Sequence, residues 1–373
     1  MVVGIIGSGA MGAGIAQVAA MAGHTVWIYD TQQAALEKAS ASLKSNLIKL
    51  EEKGKIKDAA SVFAAMHFVS NLSTLAPCSL IIEAIIENLN IKKTVFSELE
   101  TIVADDCILA SNTSSLSITS IAAACKLPQR VLGLHFFNPA PLMALVEIIP
   151  AIQTDELLLS TIKELMLAWG KTPVFAKDTP GFIVNRIARP FYGEAIRIYE
   201  EGIADMATID WALTHIGGFK MGPFALMDYI GQDVNYVVTE TVFESFYYDP
   251  RYKPSFSQKR LLEAGWLGRK TGRGFYNYAA TATLPKPTED LELGKQIVDR
   301  VVAMLINEAM EALHLQIANA ADLETAMTKG VNYPKGLLAW CEEWGKENVL
   351  AVLDNLYHQY HEDRYRACVL LRK

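Results

Sequence analysis

Val2-Val3-Gly4-Ile5-Ile6-Gly7-Ser8-Gly9-Ala10-Met11-Gly12 opens the chain and decides its fold. The apolar, β-rich residues 2–6 suit a buried parallel strand, and they run straight into three glycines spaced G-x-G-x-x-G. Gly7 permits a tight turn, Gly9 lets backbone approach a pyrophosphate, and Gly12 lets the next helix pack closely; from Met11 onward the helix turns its N-terminal amides toward the anion. The pattern predicts that helix over 11–22, with Gly23 placed to end it. A second strand, Thr25-Val26-Trp27-Ile28-Tyr29, then delivers Asp30. An acid about twenty residues past the loop accepts hydrogen bonds from a ribose, and its charge repels a 2′-phosphate. No arginine follows it, so the expected cofactor is NAD rather than NADP.

A membrane helix or signal peptide is the competing reading of the uncharged start. Six glycines before Tyr29 and the lack of a basic leader argue against it. With 373 residues, 51% of them hydrophobic, the chain can bury a large core in two or three domains. A net charge of −7 is the wrong sign for a nucleic-acid surface. Five cysteines, Cys78, Cys107, Cys125, Cys341 and Cys368, show no metal-binding spacing and read as reduced thiols. No metal and no membrane contact is expected, and the cytoplasm is the expected location.

After Asp30 a long helix is predicted over 32–52, followed by Lys53, Lys55 and Lys57, with Lys49 in its last turn. Apolar runs at 80–84, 107–110, 131–134, 145–149 and 172–176 alternate with helical stretches at 91–103 and 118–124. Strands alternating with helices specify a doubly wound, Rossmann-type parallel sheet, ending near Lys177-Asp178-Thr179-Pro180-Gly181. The expected domains are 1–179 for NAD binding, 180–280 as a helical substrate or dimerisation domain, and 289–373 as a second, partial copy of the helical module. That copy is visible as a constant offset of 114 residues: Val184-Asn185-Arg186 with Val298-Asp299-Arg300, Glu194 with Glu308, Asp210 with Glu324, Gly222 with Gly336, and Gly231 with Gly345. Residues 281–288, with two prolines, read as the linker. A copied module is expected to pack on its original as two subunits pack across a two-fold axis, which leaves either an intrachain pseudo-dimer or a homodimer.

His135-Phe136-Phe137-Asn138-Pro139 precedes Glu147 by twelve residues, counted from His135. An imidazole with a carboxylate partner is suited to taking a proton from an alcohol as a hydride leaves its carbon. Together with Glu83-Ala84-Ile85-Ile86-Glu87-Asn88, Ser111-Asn112-Thr113-Ser114-Ser115, the segment 178–186 and Gly268-Arg269-Lys270-Thr271-Gly272-Arg273-Gly274, these motifs resemble the NAD-dependent 3-hydroxyacyl-CoA dehydrogenases, in the family's order over residues 1 to about 280. The resemblance implies His135 as catalytic acid-base, Glu147 as its orienting partner, and Ser114 and Asn185 as donors to the substrate's C3 oxygen. It likewise implies cofactor contacts from Glu87, Lys92, Asn138 and Lys270, and a CoA-phosphate contact from Lys53. The implied substrate is an acyl-CoA thioester with an (S)-alcohol.

In the second copy Asn185 has become Asp299, and the chain reaches Lys373 before the position where a copy of Lys270 would fall. The second copy is therefore expected to be structural, with one active site per chain. Two other functions fit parts of the pattern: a dehydrogenase of a free 3-hydroxy acid of the gulonate or carnitine type, and an idle structural protein on the same fold. The lysines 49–57 favour the thioester. Retention of His135, Glu147, Ser114 and Asn185 together speaks against the idle fold.

Overall fold

β1 (Val2–Ile6), β2 (Thr25–Tyr29), β3 (Met66–Val69), β4 (Leu80–Glu83), β5 (Ile108–Ser111), β6 (Val131–Phe136), β7 (Leu145–Pro150) and β8 (Thr172–Phe175) form one sheet in the order β3-β2-β1-β4-β5-β6-β7-β8. These strands come from a computed structural model that describes residues 1–373. The chain starts at β1, winds outward through β2 and β3, and returns to β4 on the other side of β1. This reversal leaves a crevice above the carboxyl ends of β1 and β4, where open α/β sheets take their ligands. Helices Ala10–Met21, Gln33–Glu52, Leu89–Glu100 and Glu156–Ala168 flank the sheet. Val3, Ile5, Ile15, Val26, Ile28, Leu36, Leu43, Leu80 and Ile82 belong to its buried core.

The sheet departs from the parallel arrangement expected of it. β7 runs antiparallel to β6, and β8 is parallel to β7, so these two strands oppose the other six. The reason lies in the connection: only residues 137–144 join β6 to β7, and a parallel pair needs a crossover of a dozen or more residues. β3 is a further addition. It is a four-residue edge strand whose exposed His67 interrupts the apolar pattern.

Residues 1–182 form one compact unit and residues 183–373 another. The second is helical and repeats its local devices at the offset of 114. Asp205 caps the helix Met206–Trp211 and Asn319 caps Ala320–Gly330. Asp210 accepts from the amides of Phe224 and Ala225, and Glu324 accepts from those of Leu338 and Ala339. Gly231 and Gly345 each start a helix at positive φ, +102° and +87°. Beyond them the register slips by one residue, so that Asp249, Arg251 and Tyr252 correspond to Glu362, Arg364 and Tyr365.

Reciprocal buried pairs join the two copies. Arg186 Nε donates to Glu308 at 2.5 Å, and Arg300 Nε donates to Glu194 at 2.7 Å. Tyr252 donates its hydroxyl to Glu308 at 2.6 Å, and Tyr365 to Glu194 at 2.7 Å. Residue i of one copy meets j of the other and the converse, which is the pattern of an isologous interface. The helix Leu291–His314, which carries Arg300 and Glu308, lies at the centre of these contacts and is buried along most of its length. No helix in the chain is long and apolar enough to cross a membrane.

Removing one acceptor from this network leaves buried cations unpaired, and that costs about 3–5 kcal/mol in comparable sites. Glu308→Ala is therefore expected to lower the unfolding free energy of the full chain, read from urea titration, by an amount in this range, and Glu194→Ala to match it. A shift worth less than about 1 kcal/mol for both would show that the reciprocal pairs do not hold the helical unit together.

Candidate active site

His135 and Glu147 are direct partners across the β6–β7 ladder. Side chains opposite each other in an antiparallel pair point to the same face, so this register alone brings the imidazole to the carboxylate. His135 Nδ1 lies 2.6 Å from Glu147 Oε2, with the imidazole 6% exposed and Glu147 fully buried. A carboxylate accepts, so Nδ1 carries the proton and Nε2 is left as the nitrogen that exchanges protons with a ligand. Phe137 and Phe182 pack around the ring at centroid distances of 4.5 and 5.8 Å. Asn112 accepts from the Phe136 amide at 2.8 Å and so ties the end of β6 to the loop after β5.

That loop carries Ser114, and it is organised by Glu87. Glu87 Oε1 accepts from Thr113 Oγ1 at 2.5 Å, the Ser114 amide at 3.0 Å, Ser115 Oγ at 3.2 Å and Ser114 Oγ at 3.4 Å. Its other oxygen faces Lys92 Nζ at 3.3 Å. Burial would raise the Glu87 carboxyl, but the Lys92 charge and the Thr113 and Ser114 donors outweigh it and hold it below the usual carboxylate range. Lys92 itself is 1% exposed, with its ammonium 2.6 Å from the buried Glu83. The Lys92 ammonium is thus enclosed by two carboxylates.

The dinucleotide loop has the open and closed approaches that a bound dinucleotide requires. A Cβ at Gly9 would meet nothing within 4 Å, so the backbone is open to a ligand there, whereas a Cβ at Gly12 would lie on the Gly7 carbonyl oxygen. Gly7 has φ +99° and abuts the Ala84 carbonyl. Gly9 starts the helix Ala10–Met21 without a side-chain cap, and that helix has no acid in its first turn, which leaves its amides for an anion. Met11 is half-buried in that turn. Asp30 accepts from the Ser8 amide and hydroxyl at 2.8 and 2.7 Å and from the Gln32 amide at 3.0 Å. Burial raises its pKa and these donors more than reverse that, keeping it an anion. The residues present fit NAD.

The remaining expected residues lie apart from this cluster in sequence or on the surface. Asn138 is exposed in the loop after β6. Lys53 closes the helix Gln33–Glu52, and it, Lys49, Lys55 and Lys57 are exposed cations with no carboxylate partner. In the helical unit, Asn185 is half-buried in the short helix Val184–Ile187, its carbonyl accepting from Arg189 Nε at 2.9 Å. Lys270 is exposed and pairs with Asp233 at 2.5 Å. Glu83, Asn112 and Ser111 carry no individual signal in the sequence. All three stand inside the quoted motifs, at or beside strand ends facing the crevice, and that position was the available signal.

Asp30→Ala removes a charged acceptor, a contribution of about 1.5–3 kcal/mol. It is expected to weaken NADH binding roughly 10- to 100-fold and to narrow the preference over NADPH, both read by fluorescence titration. Unchanged discrimination would remove Asp30 from the ribose site. Glu87 gives a pH prediction. Because its folded pKa lies below the ordinary 4.5, its stabilisation is complete above that pH and is lost as pH falls through the folded value. Glu87→Gln should flatten the acid limb of the Tm–pH curve below about pH 5 relative to wild type.

Comparison with known proteins agrees with the geometry. The family model of the 3-hydroxyacyl-CoA dehydrogenase NAD-binding domain matches residues 2–179, and that of the C-terminal domain matches 181–278 and 297–373. The chain is 38% identical to a 3-hydroxyadipyl-CoA dehydrogenase of Escherichia coli K12, over 100% of this chain and 96% of that protein. A crystal structure of 3-hydroxybutyryl-CoA dehydrogenase from Escherichia coli K12 superposes with a TM-score of 0.94 at 37% identity, covering 100% of this chain and 97% of that one. The (S)-3-hydroxybutyryl-CoA dehydrogenase of Ralstonia eutropha superposes with a TM-score of 0.72 at 40% identity, over 74% of this chain and 99% of that one. The chain belongs to the NAD-dependent 3-hydroxyacyl-CoA dehydrogenase family.

Proposed function

We propose that the chain interconverts (S)-3-hydroxyacyl-CoA and 3-oxoacyl-CoA, with His135 as the acid-base group and Glu147 as its partner. The observation that carries this is the 2.6 Å contact between His135 Nδ1 and a fully buried Glu147. In the oxidation, His135 Nε2 takes the proton of the C3 hydroxyl as the C3–H bond breaks and C3 becomes a carbonyl. Bound NAD supplies the hydride acceptor. The imidazolium that forms sits against Glu147, which stabilises the cation and holds the ring in the productive tautomer. In the reduction, the same nitrogen returns the proton to the C3 oxygen. Ser114 is proposed as a hydroxyl donor to that oxygen, and Asn185, by the family resemblance, as an amide donor to it.

Glu87, Lys92 and Asn138 are proposed as cofactor contacts, with Lys270 assigned to the same role on the resemblance alone. Lys53, with Lys49, Lys55 and Lys57 beside it, offers unpaired charge for the phosphates of CoA. A free hydroxy acid carries no CoA phosphates for that charge to hold. The names of the relatives speak for the thioester, and the free-acid and idle alternatives are not favoured. A β-oxidation role, in fatty-acid or aromatic-acid breakdown, is the matching metabolic context. We divide the chain functionally into 1–179 for NAD, 180–280 for substrate, and 289–373 as a structural copy; the reciprocal pairs Arg186–Glu308 and Arg300–Glu194 support that last role. Five free cysteines, four of them buried, fit a reducing cytoplasm.

Acetoacetyl-CoA reduction, followed as NADH loss, tests the proposal. His135→Ala is expected to lower kcat by about 10²- to 10⁴-fold, the usual worth of a positioned acid-base group, while NADH binding persists. Wild-type protein that binds NADH but does not turn over acetoacetyl-CoA would refute the thioester assignment.

A further inference from the structure

Glu83 takes no part in the chemistry described so far, yet it is a fully enclosed charge at the crevice. It is the last residue of β4 and fully buried. Three donors converge on it: Lys92 Nζ at 2.6 Å, Ser111 Oγ at 2.6 Å and the Ile85 amide at 2.7 Å. A carboxylate is costly to bury without such compensation, and the fold supplies one cation for it. That cation is shared. Lys92 Nζ also faces Glu87 at 3.3 Å, so one ammonium lies between two carboxylates and closer to the inner one.

The outer carboxylate is the one that organises the loop 113–115. Every donor that Glu87 Oε1 accepts comes from Thr113, Ser114 or Ser115, and the Ser114 hydroxyl, at 3.4 Å, is the longest of these contacts. How far Lys92 leans toward Glu87 therefore decides how much of the Glu87 charge is left for the loop. At the low effective dielectric of a buried cluster, moving the ammonium from one carboxylate to the other changes this balance strongly.

We propose that Glu83 is a positioning residue: by drawing Lys92 inward it leaves Glu87 free to hold the Ser114 loop. The proposal rests on the assignment of Ser114 and Glu87 to the substrate and cofactor site. With Glu83 neutral, the ammonium moves onto Glu87, and Glu87 loosens its hold on the loop.

The test is a double-mutant cycle on the full chain with Glu83→Gln, Lys92→Met and the double variant. Two readouts are taken: kcat/KM for acetoacetyl-CoA, and hydrogen exchange of the peptide containing Ser114 in the absence of ligands. Glu83→Gln is expected to lower kcat/KM by about 10-fold or more and to speed exchange of the loop amides, and both effects should shrink to less than about 2-fold in the Lys92→Met background. Coupling in stability alone is what any buried ion pair gives, so Glu83→Gln that lowers global stability but leaves kcat/KM and exchange of the Ser114 peptide unchanged overturns the proposal. If Glu83→Gln does not fold, Glu83→Asp takes its place in the cycle, since it keeps the charge and withdraws it by one methylene. Should the wild type fail to reduce acetoacetyl-CoA, the substrate assignment falls and the exchange cycle alone decides the relay.

Discussion

The antiparallel pairing of β6 with β7 is the constraint on which the acid-base pair depends. His135 and Glu147 are twelve residues apart, and only a reversal over residues 137–144 sets them directly opposite. A slip of one residue would bring Val146 or Ile148 to that place and turn the carboxylate to the other face of the sheet. The reversal is itself held down. Lys171, buried before β8, donates to the carbonyls of Ala140 at 2.5 Å and Met143 at 2.8 Å, and burial lowers its pKa. The same loop carries Asn138, so one buried ammonium fixes both the spacing of the pair and a proposed cofactor contact.

A second constraint governs the helical unit. Each copy presents an arginine and a glutamate eight residues apart on one helical stretch, and each spends its arginine on the other copy's glutamate. Neither copy satisfies its buried charges alone. Arg251 adds to this, lying 3.6 Å from Glu308, with its charge state reinforced by that carboxylate and by Asp249. The short helix bearing Asn185 is therefore anchored through Arg186 to a residue 122 positions later in the chain. The second copy thereby fixes the backbone that presents Asn185.

What could be read from the sequence was what local physics dictates. Glycines at Gly7 and Gly12 are demanded by backbone geometry within ten residues, and β1, β2 and the helix after Gly9 fall where their patterns predicted. The 114-residue offset exposed the duplication, because identical folding problems met identical solutions at Asp210 and Glu324. Three features needed tertiary information. The direction of β7 depends on how far the 137–144 connection can reach. β3 is a short edge strand with a histidine in it. The burial of Lys92 depends on Glu83, a residue nine positions away whose role shows only when β4 and the helix Leu89–Glu100 are placed together.

The duplication also separates what the helical fold requires from what the reaction requires. Positions kept in both copies are those that satisfy backbone or buried charge: the caps at Asp205 and Asn319, the glycines at Gly231 and Gly345, and the two arginine–glutamate pairs. Asn185 is not among them. Its counterpart, Asp299, lies inside the long helix Leu291–His314 where Asn185 lies in the short helix Val184–Ile187, and its carboxyl pKa is raised by burial. The fold therefore tolerates an acid where the first copy has an amide. A neutral amide suits the role proposed for Asn185, since a donor to a carbonyl or alkoxide oxygen is favoured there and a carboxylate would repel it.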